Sequence, residues 1–238
     1  MKWYHRIVGI GALVFGLGCS AIRYHPEDYA AGRNRLEQAR RVELTPENFD
    51  EQIKQMSYFE VISSINTPRL TVLYTTKYLE YKLDLENYGV DQYIASLRET
   101  HERRRGDCED GAVCGPSLLA DDGYRFRILR LLRPDEPGHV VSIYDAGNNT
   151  YGCISIYARE CLIEGACRDL PSLLRYLNSV TNKPYDRYSL IPTRGYEDGL
   201  RHGRGHLQFV SDLYERAKIH PMPEDHPMPE DVVVAQNP

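Results

Sequence analysis

Apolar residues recur at helical spacing along the first half of the chain. After Thr67-Pro68 they follow one another at intervals of three and four, the period of a single helix face. Thr67 suits the N-cap position and Pro68 the first helical position, so a helix is predicted to begin there. Thr45-Pro46 predicts another helix start, and Ser96 to Glu99 has the pattern of a capping box. The residues predicted to face the core from the helix after Thr67 are Leu70, Leu73, Tyr74, Tyr78, Tyr81 and Leu85.

Strand-like segments occupy the second half of the chain. Tyr124 to Leu132, His139 to Tyr144 and Tyr151 to Tyr157 are rich in β-branched and aromatic residues and are separated by turn residues. Asp169 is a suitable cap for a predicted helix from Leu170 to Val180. The order of these segments predicts a domain that mixes helices and strands.

The N-terminus has the layout of a secretory signal. Two basic residues, Lys2 and Arg6, precede an apolar run from Ile7 to Leu17 that is too short to span a bilayer. Gly16 to Cys19 resembles the box at which bacterial lipoproteins are lipidated, although Gly16 stands where that box usually has leucine. Cys19 is therefore a candidate lipidation site, and a plain cleaved signal is the alternative.

The chain divides into four segments on these patterns. Residues 1–19 form the signal segment, 20–65 a helical N-terminal segment, and 66–205 the main domain, in which the part from 185 onwards lacks periodicity and predicts loops. Residues 206–238 contain a helix end and a tail that twice repeats His-Pro-Met-Pro-Glu-Asp. Such a Pro-rich repeat predicts an extended, disordered end.

The charge balance limits the class of partner. Lys and Arg number 29 against 34 Asp and Glu, which gives a formal charge of −5 and an isoelectric point near 5.9. Because nucleic-acid binding proteins present a basic surface, we expect no nucleic-acid partner. The 238-residue chain without its signal is long enough to bury the core of one domain.

Cysteine usage is consistent with an oxidising compartment. Without Cys19 five cysteines remain, an odd number, so one thiol should stay unpaired. Zinc is the alternative, but no C-x-x-C pair occurs, and we expect neither a metal nor a cofactor. If Cys108 is the unpaired thiol, three pairings are open, of which we favour Cys161 with Cys167 and Cys114 with Cys153.

The most informative stretch runs from Arg105 to Ala112. Asp107 can cap a new helix, and this places Cys108 in the first turn. There the helix dipole and free backbone N–H groups should lower the pKa of the thiol and stabilise a thiolate. A small buried structural cysteine is the alternative. Glu109 and Asp110 could suggest calcium, but helix capping explains them more simply.

A nucleophilic cysteine needs a base, and His139 opens the second predicted strand. Alone, a histidine at a strand start is usually structural. It becomes the candidate base because a helix and a strand separate it from Cys108, which lies about thirty residues upstream.

The stretch from Arg103 to Ala112, followed by Gly138-His139, resembles the bacterial transglutaminase-like cysteine peptidases of the papain-like superfamily. Asp84 to Gly89 and Ser96 to Thr100 resemble the lead-in to that motif, so the resemblance covers residues 66 to 160. It implies an α+β fold in which a helix bearing the nucleophilic cysteine packs on an antiparallel sheet bearing the histidine. It also implies thioester chemistry on the peptide or amide bonds of a protein or peptide substrate.

The chain departs from this family at the third catalytic position, where an Asp normally orients the imidazole. Asp145 lies on the same strand as His139 but roughly 20 Å away, at about 3.3 Å per residue. Folding the hairpin brings residues near Ser155 opposite His139 instead. A serine can accept a hydrogen bond from the ring but stabilises an imidazolium less well than a carboxylate does.

Two further features bear on activity. Pro116 falls inside the helix that Cys108 opens, where a proline removes a backbone hydrogen bond and should kink or break the helix. Tyr88 or Tyr93 is a candidate contributor to an oxyanion site.

Two functions therefore compete. The first is an envelope-associated thiol hydrolase that acts through Cys108 and His139, with Ser155 at best orienting the base; an amine in place of water would give a transferase. The second is a catalytically silent lipoprotein of the same fold that binds a protein or envelope partner. Either would be held to the membrane by a lipid on Cys19, and lipoprotein sorting predicts the outer membrane, facing the periplasm.

Overall fold

The computed structural model describes residues 32, 34–39, 41–134, 138–147, 150–181 and 184–223. The signal segment with Cys19 and the repeated tail beyond residue 223 lie outside the described residues, as do parts of two predicted turns, at 135–137 and 148–149. Among the helices within the described ranges, none is both long and apolar enough to cross a membrane.

Two sheets organise the described chain. A short parallel ribbon pairs β1 (Glu80–Tyr81) with β2 (Arg105–Gly106). The main sheet has six antiparallel strands in the order β6-β5-β4-β3-β7-β8. This confirms an α+β architecture with an antiparallel sheet. The six strands are β3 (Arg125–Leu132), β4 (His139–Gly147), β5 (Thr150–Ile154), β6 (Leu162–Cys167), β7 (Arg187–Pro192) and β8 (Ile219–Pro221).

Most of the helices are short, and several are extended by single 3₁₀ or π turns. Residues 34–38 are helical as well. The 3₁₀ turns are Ile53–Gln55, Ala120–Asp122 and Ala158–Glu160, and Tyr74–Tyr78 is a π turn. The α-helices are α1 (Phe49–Gln52), α2 (Tyr58–Ser64), α3 (Pro68–Leu73), α4 (Asp84–Asn87), α5 (Leu97–Arg103), α6 (Cys108–Leu118), α7 (Leu170–Ser179), α8 (Glu197–His202) and α9 (Gln208–Arg216).

Side-chain caps begin the helices that position the site. Thr67 accepts a hydrogen bond from the Leu70 N–H at 3.3 Å, and Asp169 accepts one from Ser172 at 2.7 Å. Asp107 accepts from Glu109 at 3.0 Å, which makes Cys108 the first residue of α6. These three predicted helix starts are confirmed.

The main sheet separates two layers of core. On one face, α6 packs through Cys114 and Leu118 against Phe126 of β3 and against the N-terminal helices α1 and α2. On the other face, α7 packs through its leucines against Leu129 and Val141. Because successive strand residues point to opposite faces, β3 and β4 are buried on both sides where helices cover them. Residues 49–65 therefore belong to the same core as α6.

Three predicted elements are corrected. The helix after Thr67 ends at Tyr78 and does not reach Leu85, because Leu79 is extended and the chain then pairs as β1. The helix predicted at Thr45-Pro46 begins at Phe49. The predicted loop region from 185 onwards contains β7 and α8. In each case tertiary pairing overrides a local pattern.

Pro116 does not break α6, which runs without interruption to Leu118. The proline removes one backbone hydrogen bond. Packing of the helix against the sheet outweighs that loss, and Gly115 permits the close approach. A Cβ atom at Gly115 would overlap Ser142 Oγ and lie 2.9 Å from the Phe126 ring.

Both predicted disulfides are wrong, since all five described cysteines are free. Cys114 and Cys161 lie in the core layer beneath α6, whereas Cys153 and Cys167 lie in the layer beneath α7. Each predicted pair is thus divided between the two core layers.

Substitution Gly115→Ala should destabilise the protein by about 1–3 kcal/mol, because the new methyl group overpacks the helix–sheet contact. Alanine would otherwise favour a helix. Urea denaturation of Gly115→Ala in the parent and in a Ser142→Ala background provides the check. We expect a smaller loss in the second background; equal losses would contradict this account of Gly115.

Candidate active site

Cys108 and His139 meet where α6 begins and β4 begins. Cys108 is the first residue of the helix and is partly exposed, and His139 is the first residue of the strand, opposite Leu131 of β3. The backbone N–H of Val140, the residue after the histidine, lies near enough to the Cys108 sulfur to favour its thiolate. The residues predicted as nucleophile and base therefore begin two elements that pack against each other.

A carboxylate that the sequence did not predict orients the histidine. Glu160 Oε2 lies 2.6 Å from His139 Nε2, and both side chains are buried. The Ser155 hydroxyl donates to the same oxygen at 2.7 Å. The structure therefore places Glu160 next to the imidazole, while Ser155 contacts the carboxylate.

The observed strand register differs by two residues from the one that pointed to Ser155. Ser142 pairs with Ile154, so the continued register brings residue 157 opposite His139, not residue 155. The Tyr157 ring indeed lies against the imidazole, with 5.6 Å between ring centroids. A 3₁₀ turn at Ala158–Glu160 then returns Glu160 to the histidine. In the sequence, the feature that could have indicated Glu160 is an acidic residue shortly after the third predicted strand.

The electrostatics of Glu160 favour its ionised form. Burial raises the pKa of this carboxyl, but the hydrogen bond and charge of His139, with the Ser155 hydroxyl and Arg159, act more strongly together. Its pKa therefore falls below the ordinary value. A carboxylate held in this state stabilises a protonated imidazole.

The electrostatics of Cys108 differ from the prediction. Burial raises the pKa of the thiol well above its ordinary value, and the negative charges of Glu109 and Asp107 raise it further. The thiol also donates to Glu109 Oε2 at 2.8 Å. The Val140 N–H acts in the opposite direction but does not prevail. The predicted lowering by the helix terminus is thus outweighed by burial and by two carboxylates.

Three further carboxyl groups are buried beside this helix start. Asp84, Asp107 and Asp110 each have an oxygen within 4.8 Å of the others. Burial raises their pKa values to about 6, about 9 and about 8. An all-oxygen set of this spacing suits a hard cation such as Ca²⁺ better than zinc. Backbone hydrogen bonds nevertheless explain the three residues, since Asp107 caps α6 and Asp84 and Asp110 accept from the N–H groups of Tyr93 and Ala95.

The two tyrosines predicted for an oxyanion site are engaged elsewhere. Tyr88 donates to Asp110 at 3.3 Å, and Tyr93 donates to Glu99 at 3.2 Å. Their rings stack on each other with centroids 4.0 Å apart. Neither hydroxyl is left to face the thiol.

Tyr214 of α9 is the tyrosine that the sequence did not single out. Its hydroxyl is buried and has no hydrogen-bond partner among the described residues. Burial raises the pKa of the phenol well above its ordinary value, and the negative charge of Glu109 raises it further while Arg130 lowers it. Arg130 lies over the Tyr214 ring at 4.6 Å and donates to its backbone carbonyl, which fixes the side chain in place.

Asp145 is excluded as the third catalytic residue, as the sequence indicated. It lies at the far end of β4, opposite Arg125, and its Oδ1 accepts from the Gly147 N–H at 2.9 Å.

No protein-family model matches the chain, and the comparison with curated proteins finds no match. The functional interpretation therefore depends on the residues of this site.

Substitution Glu109→Gln should lower the pKa of Cys108, because it removes a negative charge and a carboxylate that accepts the thiol hydrogen. More thiolate is then present at a given pH, by about tenfold for each unit of pKa. Iodoacetamide labelling of Cys108 across pH 6–10, followed by mass spectrometry, measures the change. Glu102→Gln is the control, since Glu102 pairs with Arg98 on the surface. Superimposable profiles for Glu109→Gln and the parent would contradict the assignment.

Proposed function

We propose that this chain is a thiol hydrolase of the transglutaminase-like kind, in which Cys108 attacks a peptide or amide carbonyl. The buried contact of His139 with Glu160, beside the first turn of α6, is the observation that carries the proposal. An ionised carboxylate beside a histidine stabilises the protonated ring. A histidine that accepts and returns a proton is stabilised by one.

The proposed chemistry follows from the bond that His139 Nε2 makes with Glu160. The Cys108 sulfur bonds to the carbonyl carbon while its proton passes to His139 Nδ1, because Nε2 already bonds Glu160. His139 gives that proton to the departing amine as the C–N bond breaks. Water, deprotonated by His139, then cleaves the thioester and restores the thiol. An amine in place of water would give transfer in place of hydrolysis.

Tyr214 is the proposed donor to the oxyanion of the tetrahedral intermediate. A buried hydroxyl without a partner costs about 1–3 kcal/mol, and a negative oxygen formed beside Cys108 would satisfy it. The raised pKa keeps the phenol protonated, and therefore a donor, throughout the physiological range. Glu160 and Ser155 act as positioning residues, since they act on the substrate through His139.

The arrangement also supports the family resemblance. The cysteine begins a helix that packs on an antiparallel sheet, and the histidine begins a strand of that sheet. A transglutaminase-like fold arranges these two residues in the same way. The substrate class that follows is a protein or peptide, and the proposed place of action is the bacterial envelope, with attachment through Cys19.

A second candidate is a silent protein of this fold that binds a partner without cleaving it. The observation that favours it is the raised pKa of Cys108, which keeps the thiol neutral. The ionised Glu160 supports the hydrolase, because a carboxylate beside the imidazole stabilises the proton that His139 accepts in the proposed reaction.

Cleavage of a peptide library by the full chain tests the hydrolase directly. Mass spectrometry should detect new peptide termini with the parent and none with Cys108→Ala. Tyr214→Phe should reduce the cleavage rate about 10²-fold through loss of the oxyanion donor. Its thermal midpoint should not fall, because the substitution removes an unsatisfied buried hydroxyl. Hydroxylamine in a parallel reaction separates transfer from hydrolysis by the product mass.

The opposite pattern supports the binding protein. Absence of new termini from pH 5 to 10, with Cys108 labelling that does not respond to His139→Ala, would reject the hydrolase. Cleavage that survives Cys108→Ala would reject the assigned nucleophile.

A further inference from the structure

A cavity of about 390 Å³ lies at the end of the sheet opposite the cysteine–histidine site. The first residues of β3 and the segment after β7 line it. On β3, Leu131 is opposite His139, whereas Arg125 is opposite Asp145. The six residues between Leu131 and Arg125 correspond to roughly 20 Å of strand, so this cavity is separate from the proposed active site.

Three arginines make the lining of the cavity positively charged. Arg125 and Arg127 are two residues apart on β3 and therefore project from the same face. Pro192 pairs with Arg127, and Arg194 follows two residues later, which brings the third guanidinium to the same place. All three side chains are exposed, and none forms a hydrogen bond or ion pair with any part of the chain that the structure describes.

Two carboxylates lie near these arginines, and backbone N–H groups bind both of them. Glu197 lines the cavity, but both of its oxygens accept from the Gly195 N–H, at 3.0 and 2.8 Å. Asp145 shares a smaller cavity with Arg125 and Arg127, and its Oδ1 accepts from the Gly147 N–H. Three guanidinium groups thus border a space with one carboxylate on its wall, an excess of positive charge.

We propose that this cavity binds a phosphate group. The planar guanidinium presents a fork of N–H donors that matches phosphate oxygens, and three such forks suit an anion that carries more than one charge. Tyr124 and Phe126 also line the cavity but alternate with the two arginines along β3, so the guanidinium groups are the proposed phosphate contacts. Two sources share this chemistry, namely a free phosphate compound and a phospholipid headgroup.

The site is independent of the hydrolase proposal and is tested without any activity. The full chain is titrated with inorganic phosphate by calorimetry, at an ionic strength held constant with sodium chloride. Sedimentation with vesicles of phosphatidylglycerol, compared with vesicles of phosphatidylcholine, tests the lipid source. The variants are Arg127→Gln and Arg194→Gln, and Arg69→Gln is the charge-matched control because Arg69 is exposed and lines neither cavity.

Saturable phosphate binding that weakens about tenfold in Arg127→Gln and Arg194→Gln, but not in Arg69→Gln, supports the site with a free phosphate as ligand. Failure to bind inorganic phosphate, with phosphatidylglycerol-dependent sedimentation that the same two variants lose, supports it with a headgroup as ligand. No binding in either arm, or binding that both variants retain, overturns the proposal. Thermal midpoints measured without phosphate establish that all the variants are folded.

Discussion

A carboxylate buried away from water is stable only when charged or hydrogen-bonding partners surround it. Glu160 is 5% exposed, and its Oε2 atom holds both His139 and Ser155. This oxygen ties the start of β4 to the end of β5 and to the short turn that follows. Without it, the histidine would lose the partner of its Nε2 atom, and the segment from 155 to 160 would lose one of the contacts that hold it against the sheet.

The surroundings of Cys108 act on the pKa of its thiol in two opposing directions. The first turn of α6 and the Val140 N–H favour a thiolate, while burial and the carboxylates of Glu109 and Asp107 favour the neutral form. The neutral form prevails in the resting site. A reaction must then begin with transfer of the thiol proton to His139, and Glu160 is the group that makes this transfer less costly. The histidine–carboxylate pair therefore has more influence on reactivity than the helix terminus.

Local chemistry made part of this site predictable. Asp107 caps α6 and His139 begins β4 because a capping side chain and a turn before a strand act over a few residues. Glu160 was not predictable in this way, since its position depends on the register of β4 with β5 and on a 3₁₀ turn. Tyr214 approaches from α9, about 100 residues along the chain, and nothing near it in sequence indicates the site. The same limitation explains the disulfides, because the sequence does not show which face of the sheet each cysteine occupies.

The hydrogen bond between His139 and Glu160 can be measured directly by proton NMR of ¹⁵N-histidine-labelled protein. The account predicts a low-field signal from a proton on His139 Nε2, protected from solvent by burial and lost in Glu160→Gln. Ser155→Ala should retain the signal at a shifted position, because Ser155 contacts only the carboxylate. A signal that is absent in the parent, or unchanged in Glu160→Gln, would contradict the claim that this carboxylate orients the histidine.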